Sequence, residues 1–124
     1  MPPRKKPTNA ELAILRVLWV RGPSTVREAA DALKRQDAYT TVLKQLQIMT
    51  AKGLVRRDES SRTHIYRAAY SEDRTRRQIV SDLLNRLFDG SAASLVMHVL
   101  SDRTTTEEEL REIQRLIDAH RGRS

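Results

Sequence analysis

Cysteine is absent from this 124-residue chain, which removes disulfides, thiolate metal sites and a cysteine nucleophile together. Aromatic residues make up only 4%. That is thin for a core that closes on itself, so partner helices are expected to complete the burial. The glycines, Gly22, Gly53, Gly90 and Gly122, stand too far apart to form a phosphate-cradling loop. No apolar run approaches the ~20 residues that span a bilayer. Residues 1–8 are basic but lack the apolar stretch of a signal peptide, so a cytoplasmic protein without membrane insertion is expected. His64, His98 and His120 fall in different predicted elements without ligand spacing, so neither a metal nor another cofactor is expected. Serine, histidine and aspartate occur without a nucleophile turn, which argues against a catalytic residue and against an enzyme.

What the chain does have is lopsided charge. Residues 1–70 hold 14 Lys and Arg against 6 Asp and Glu, a balance of +8. Residues 71–124 hold 9 against 10, a balance of −1. A basic front half and a neutral, leucine-rich back half suggest a reader of double-stranded DNA joined to a self-association module. The domain organisation expected is a flexible basic arm over 1–7, a DNA-binding domain over 8–70 and a helical dimerisation region over 71–124. Lys6 and its neighbours Arg4 and Lys5 make the arm a candidate for touching phosphates.

The front half is punctuated in a readable way. Thr8 and Glu11 stand at capping-box spacing, ahead of Leu12, Ile14, Leu15, Leu18 and Trp19 on a helical stripe. Arg21-Gly22-Pro23 ends that helix. Thr25 and Glu28 repeat the box before a short helix that turns Val26, Ala30 and Leu33 inward, and residues 34–38 read as a turn. A third helix is expected from about Tyr39 to Lys52, stopped by Gly53.

At 100° per residue this third helix gathers Val42, Leu46 and Met49 on one side. Thr40, Lys44, Gln47 and Ala51 lie opposite, flanked by Thr41 and Ile48, and the helix has no acid at all. Small residues and hydrogen-bonding side chains with one cation suit a major groove. Thr40, Thr41 and Lys44 are the leading candidate DNA contacts, and Gln47 has the amide that pairs bidentately with adenine. Ile48 is placed either to contact a thymine methyl or to pack under the wing, the second being favoured.

Residues 54–58 and 63–67 favour strands, and the polar linker between them suits a hairpin. The fold class expected is therefore mostly α with a small β-hairpin wing: a winged helix–turn–helix followed by a helical region. Arg56, Arg57, Arg62 and Arg67 place cations on the wing, Arg62 at its tip. Tyr39 and Tyr66 read as packing residues, as does His64, which alternates with Tyr66 along its strand.

Ser71, Ser91 and Thr106 read as caps of three further helices, Thr106 with Glu109 as a third box. Their apolar positions Ile79, Leu83, Leu84, Leu87, Leu95, Leu110, Ile113 and Ile117 are the candidate homodimer interface.

Ala38-Tyr39-Thr40-Thr41-Val42-Leu43 and Lys52-Gly53-Leu54-Val55 resemble the penicillinase repressor (BlaI/MecI-type) family. The resemblance runs through Asn9-Ala10-Glu11-Leu12, Thr25-Val26-Arg27-Glu28, Arg62-Thr63-His64-Ile65-Tyr66 and Leu84-Asn85-Arg86-Leu87-Phe88-Asp89-Gly90-Ser91, from about Thr8 to His120. It implies a homodimeric transcriptional repressor on a dyad-symmetric operator, dimerising through its C-terminal helices. It also implies inactivation by cleavage triggered by a membrane metalloprotease sensor. By position the cut falls at His98 and Val99, where the β-lactam repressors carry Asn-Phe. Many relatives also carry basic residues in place of Gln47 and Ile48, and a copper-responsive branch uses C-terminal cysteines that this chain lacks. Two other readings share the fold: a winged-helix protein–protein adaptor, and a winged-helix regulator that responds to a small ligand.

Overall fold

The start of the first helix is dictated by its cap. In the computed structural model, which describes residues 6–34, 38–102 and 104–123, the Thr8 hydroxyl accepts the Glu11 N–H at 3.2 Å. The Glu11 carboxylate accepts the Thr8 N–H at 2.8 Å in return. Helix α1 then runs Asn9–Arg21 and stops at Gly22, whose φ of 91° no β-carbon would favour. Thr25 and Glu28 close the same reciprocal box at 3.1 and 2.9 Å. Helix α2, Val26–Leu33, follows and ends on Lys34 in the left-handed region. Residues 1–5 of the expected arm, and residues 35–37 of the expected turn, lie outside the described residues.

Helix α3 spans Ala38–Lys52. It ends in a Schellman-type turn, with the Leu54 N–H donating to the Met49 carbonyl at 2.9 Å across Gly53. Strands β2 (Val55–Asp58) and β3 (Ile65–Ala68) form the expected hairpin. A two-residue strand β1, Ser24–Thr25, adds to β3, so the antiparallel sheet has three strands in the order β1-β3-β2. Ser24 faces Tyr66 and Thr25 faces Ile65. The hairpin expectation therefore gains a strand. Thr25 serves both as the cap of α2 and as a sheet residue, and so short an element leaves no alternation to read.

The core joins all of these elements. Ile14, Leu15 and Leu18 of α1 meet Val26, Ala29 and Ala30 of α2 and Val42, Leu46 and Met49 of α3, closed by Leu54, Val55 and Tyr66. Leu12, Trp19 and Leu33 are only partly buried against it. The Trp19 indole N–H donates to the Tyr70 carbonyl at 2.9 Å, which satisfies its polar edge.

Helices α4 (Glu72–Leu87), α5 (Ala92–Asp102) and α6 (Glu107–Arg121) follow. Ser71 and Ser91 accept the N–H groups of Arg74 and Ser94 as caps, each at 3.1 Å. At Thr106 the hydroxyl half of the expected box is formed, to the Glu109 N–H at 3.1 Å. Contacts divide the chain into two units, 1–81 and 82–124, with the boundary inside α4. Among the described residues of α4, α5 and α6, no side chain is buried. No described helix is long and apolar enough to cross a membrane.

One interaction fixes the first unit. The Glu11 carboxylate, only 1% exposed, takes two hydrogen bonds from the Lys52 ammonium at 2.8 and 3.0 Å. This links the first turn of α1 to the last residue of α3. Burial alone would raise the Glu11 carboxyl, but Lys52 and Thr8 outweigh it and hold the group below its usual value of 4.5. The pair therefore stabilises the fold at neutral pH and at pH values down to about 4.5. That stability is lost as pH falls through the depressed folded value. Glu11→Gln is expected to destabilise the protein by about 2–4 kcal/mol at pH 7, because it leaves a half-buried ammonium unpaired. Urea melts of both proteins at pH 7 and pH 3 check this: the difference should shrink at low pH, and a constant difference would contradict it.

Candidate nucleic-acid interface

Rotation of α3 about its axis decides which side chains reach outward. Val42, Leu46 and Met49 are all buried to 2% exposure or less and anchor one face. The opposite face then presents Thr40, Thr41, Lys44, Gln47 and Ala51, all exposed. Every candidate contact on α3 thus lies on one solvent-facing strip. Among the described residues no carboxylate forms an ion pair with Lys44, so its ammonium faces outward uncompensated.

Ile48 departs from expectation. It is 42% exposed beside Gln47 rather than tucked under the wing. The partly buried apolar side chain of α3 packed on the core is Leu43, five positions earlier, which lines a groove together with Thr63, His64 and Tyr66. Ile48 is therefore an apolar group on the outward strip, of the kind that meets a thymine methyl.

The wing is shaped by local polar contacts. Asp58 accepts the Ser60 N–H at 2.9 Å, and the Ser61 hydroxyl donates to the Thr63 carbonyl at 2.8 Å. The Ser60 backbone and side chain, then the charge of Arg67, hold the Asp58 carboxyl below its ordinary value. Arg62 is exposed on the loop between β2 and β3. Arg56 and Arg67 lie directly opposite each other across β2 and β3. Like charges in that position repel, and a polyanion would relieve them. Arg57 is held by Glu59 at 2.9 Å.

Two aromatic-strand expectations separate here. Tyr66 is 1% exposed and belongs to the core, as expected. His64 does not share its environment. Strand β3 begins only at Ile65, so His64 stands in the loop, exposed, with its Nε2 4.0 Å from Glu59. Tyr39 is also exposed, and it carries the Arg27 guanidinium over its ring at 4.6 Å from the centroid. Arg27 was not singled out by sequence patterning. It is an unremarkable exposed residue of α2 until the fold brings the starts of α2 and α3 together.

The candidate association residues divide by exposure. Ile79, Leu83, Leu84, Leu95 and Ile113 are half-buried, whereas Leu87, Leu110 and Ile117 are exposed. Val96, Val99, Leu100 and Leu116 are exposed as well. His98 and Val99 lie inside α5, His98 with its Nδ1 2.9 Å from the Ser94 carbonyl and its ring edge-on to Phe88 at 5.3 Å.

An outward strip that carries no folding load should tolerate truncation. Thr40→Ala, Lys44→Ala and Gln47→Ala are each expected to change unfolding free energy by less than about 0.5 kcal/mol. Leu46→Ala on the same helix should cost about 2–5 kcal/mol. Thermal or urea melts of the four variants check the orientation, and a large loss at Lys44 would show that the strip faces inward.

The chain is similar to several known proteins. The sequence model of the penicillinase repressor family matches residues 7–119. The penicillinase repressor of Bacillus licheniformis is 22% identical over 118 residues, covering 94% of this chain and 92% of the relative. The transcriptional regulator BlaI of Mycobacterium tuberculosis is 35% identical over 94 residues, 73% of this chain and 68% of the relative. Among solved structures, the homodimeric winged helix–turn–helix DNA-binding domain of a possible ArsR-family regulator from Mycobacterium bovis overlaps with a TM-score of 0.46. Its identity is 31%, over 61% of this chain and 71% of that one.

Proposed function

The chain belongs to the penicillinase repressor family, and from that premise we propose that it is a cytoplasmic transcriptional repressor that binds a dyad-symmetric DNA operator as a homodimer. The observation that carries the reading is the exposed, acid-free strip of α3. Seated in a major groove, Thr40, Thr41, Lys44 and Gln47 would meet phosphates and base edges, with Ile48 as the apolar contact. Arg62 and the paired Arg56 and Arg67 would follow the backbone beside the groove. No step of this function calls for a cofactor or a catalytic residue.

The dimer follows from energetics. Apolar side chains of α4, α5 and α6 stand exposed or half-buried in the single chain, and a second copy would bury them. Two winged units joined in this way would place their α3 helices in grooves one helical turn apart, ~34–36 Å, or a multiple of it. Binding by both units would repress by occupying the operator.

For release we propose the route that the family resemblance implies, a cut near His98 and Val99 triggered by a membrane metalloprotease sensor. The bond between these two residues lies within the hydrogen-bonded turns of α5, so the protease must first unwind the helix. Incubation with a co-expressed sensor, followed by intact-mass analysis, tests the step: two fragments meeting at residues 98 and 99 support it, and an uncut chain contradicts it.

The central test is salt-titrated binding to the protein's own promoter DNA and to random duplex. Lys44→Ala should weaken promoter binding about tenfold, or ~1.4 kcal/mol. Leu83→Asp or Leu87→Asp should yield monomers by light scattering that bind DNA poorly. Equal affinity for promoter and random duplex would favour an adaptor for an acidic protein partner, and dimeric Leu variants would remove α4 from the interface.

A further inference from the structure

Beside the outward strip of α3 lies a groove of about 290 Å³, bounded by the start of α2, the start of α3 and the wing tip. Its floor is apolar, made by Val26, Leu43 and the buried Tyr66. Its rim carries the cations of Arg27 and Arg62, with the His64 imidazole beside them. The carboxylates nearest in sequence are engaged elsewhere: Glu28 caps α2 and reaches Arg21 at 3.6 Å, and Glu59 holds Arg57 at 2.9 Å. Among the described residues, neither Arg27 nor Arg62 forms an ion pair with a carboxylate.

Arg27 is also held in place. Its guanidinium lies over the Tyr39 ring at 4.6 Å. A guanidinium held over a ring by its charge still carries its N–H donors, and among the described residues no carboxylate takes those of Arg27. An arginine ordered in this way loses less side-chain freedom when it takes up an oxyanion. The ring that orders it stands one residue before Thr40, so the donors border the strip that would enter the groove of a duplex.

We propose that this groove is a backbone-phosphate site, in which Arg27 and Arg62 grip one phosphodiester of bound DNA and Tyr39 positions Arg27. The assignment rests on the DNA-binding reading above and adds a grip that is independent of base sequence. It makes α2 a partner in binding rather than only a support for α3. Arg27 would act through charge and hydrogen bonds, and Tyr39 only through Arg27.

Because a phosphate contact is blind to sequence, the probe is a random duplex of about 30 base pairs, titrated by fluorescence anisotropy across a range of chloride concentrations. Arg27→Ala should lower affinity about five- to tenfold and reduce the slope of log K against log[salt] by about 0.9. Tyr39→Phe should match the parent protein. Tyr39→Ala should weaken binding while leaving the slope unchanged, since the charge remains. Arg27 is exposed, so circular dichroism and melting temperature should be those of the parent. An unchanged slope in Arg27→Ala overturns the groove assignment alone, whereas a parent protein that binds no duplex overturns the DNA-binding reading with it. A final arm replaces chloride by inorganic phosphate at equal ionic strength. Extra displacement of the duplex from the parent, absent in Arg27→Ala, would assign the groove to free phosphate and overturn the diester.

Discussion

The Glu11 carboxylate holds the start of α1 and the end of α3 at once, and the outward strip depends on that tie. A helix displaced by one residue turns each side chain through about 100°. Such a displacement would move Lys44 away from solvent and draw Leu46 out of the core. Apolar packing of Val42, Leu46 and Met49 supplies most of the free energy that seats α3. Close packing already opposes such a slide, and the buried carboxylate, with its ammonium partner and capped N–H, adds a directional constraint to it. Lys52, through Glu11, thus ties the end of α3 to α1 in the register in which Thr40, Thr41, Lys44 and Gln47 face outward together.

The two ends of the chain use apolar surface differently. In the first unit α1, α2, α3 and the sheet bury a core around Leu15, Leu46, Met49 and Tyr66. From α4 onward no described residue is buried, and helices remain intact through local devices. Serine and threonine caps begin them, and spaced ion pairs such as Arg77 with Asp73 at 2.9 Å decorate the polar face. Pairs of this kind are exposed and contribute little each. Apolar faces on such helices gain stability only by meeting another surface, which the proposed dimer would supply.

Much of the front half was legible because its signals are local. The threonine–glutamate boxes at Thr8 and Thr25 and the stops at Gly22 and Gly53 depend on residues within one helical turn. The buried and exposed sides of α3 follow from period alone. What escaped depends on distant partners. Glu11 reads as a cap residue, and only the fold shows that Lys52, 41 positions away, shares its carboxylate. Strand β1 exists because β3 comes to lie beside it. The misplacement of His64 and Ile48 has the same origin: alternation within a strand and position on a helix do not reveal where a strand begins or how far a wing reaches. Arg27 and Tyr39 come from separate helices whose starts converge only in three dimensions.

Amide chemical-shift mapping by NMR, with a promoter duplex added stepwise to the isotope-labelled protein, tests the central claim most directly. Perturbations should concentrate at Thr40, Thr41, Lys44, Gln47 and Ile48, extend to Arg62 on the wing, and spare Leu46 and Met49 except for small secondary shifts. Perturbations confined to α4, α5 and α6, with the α3 strip silent, would contradict it.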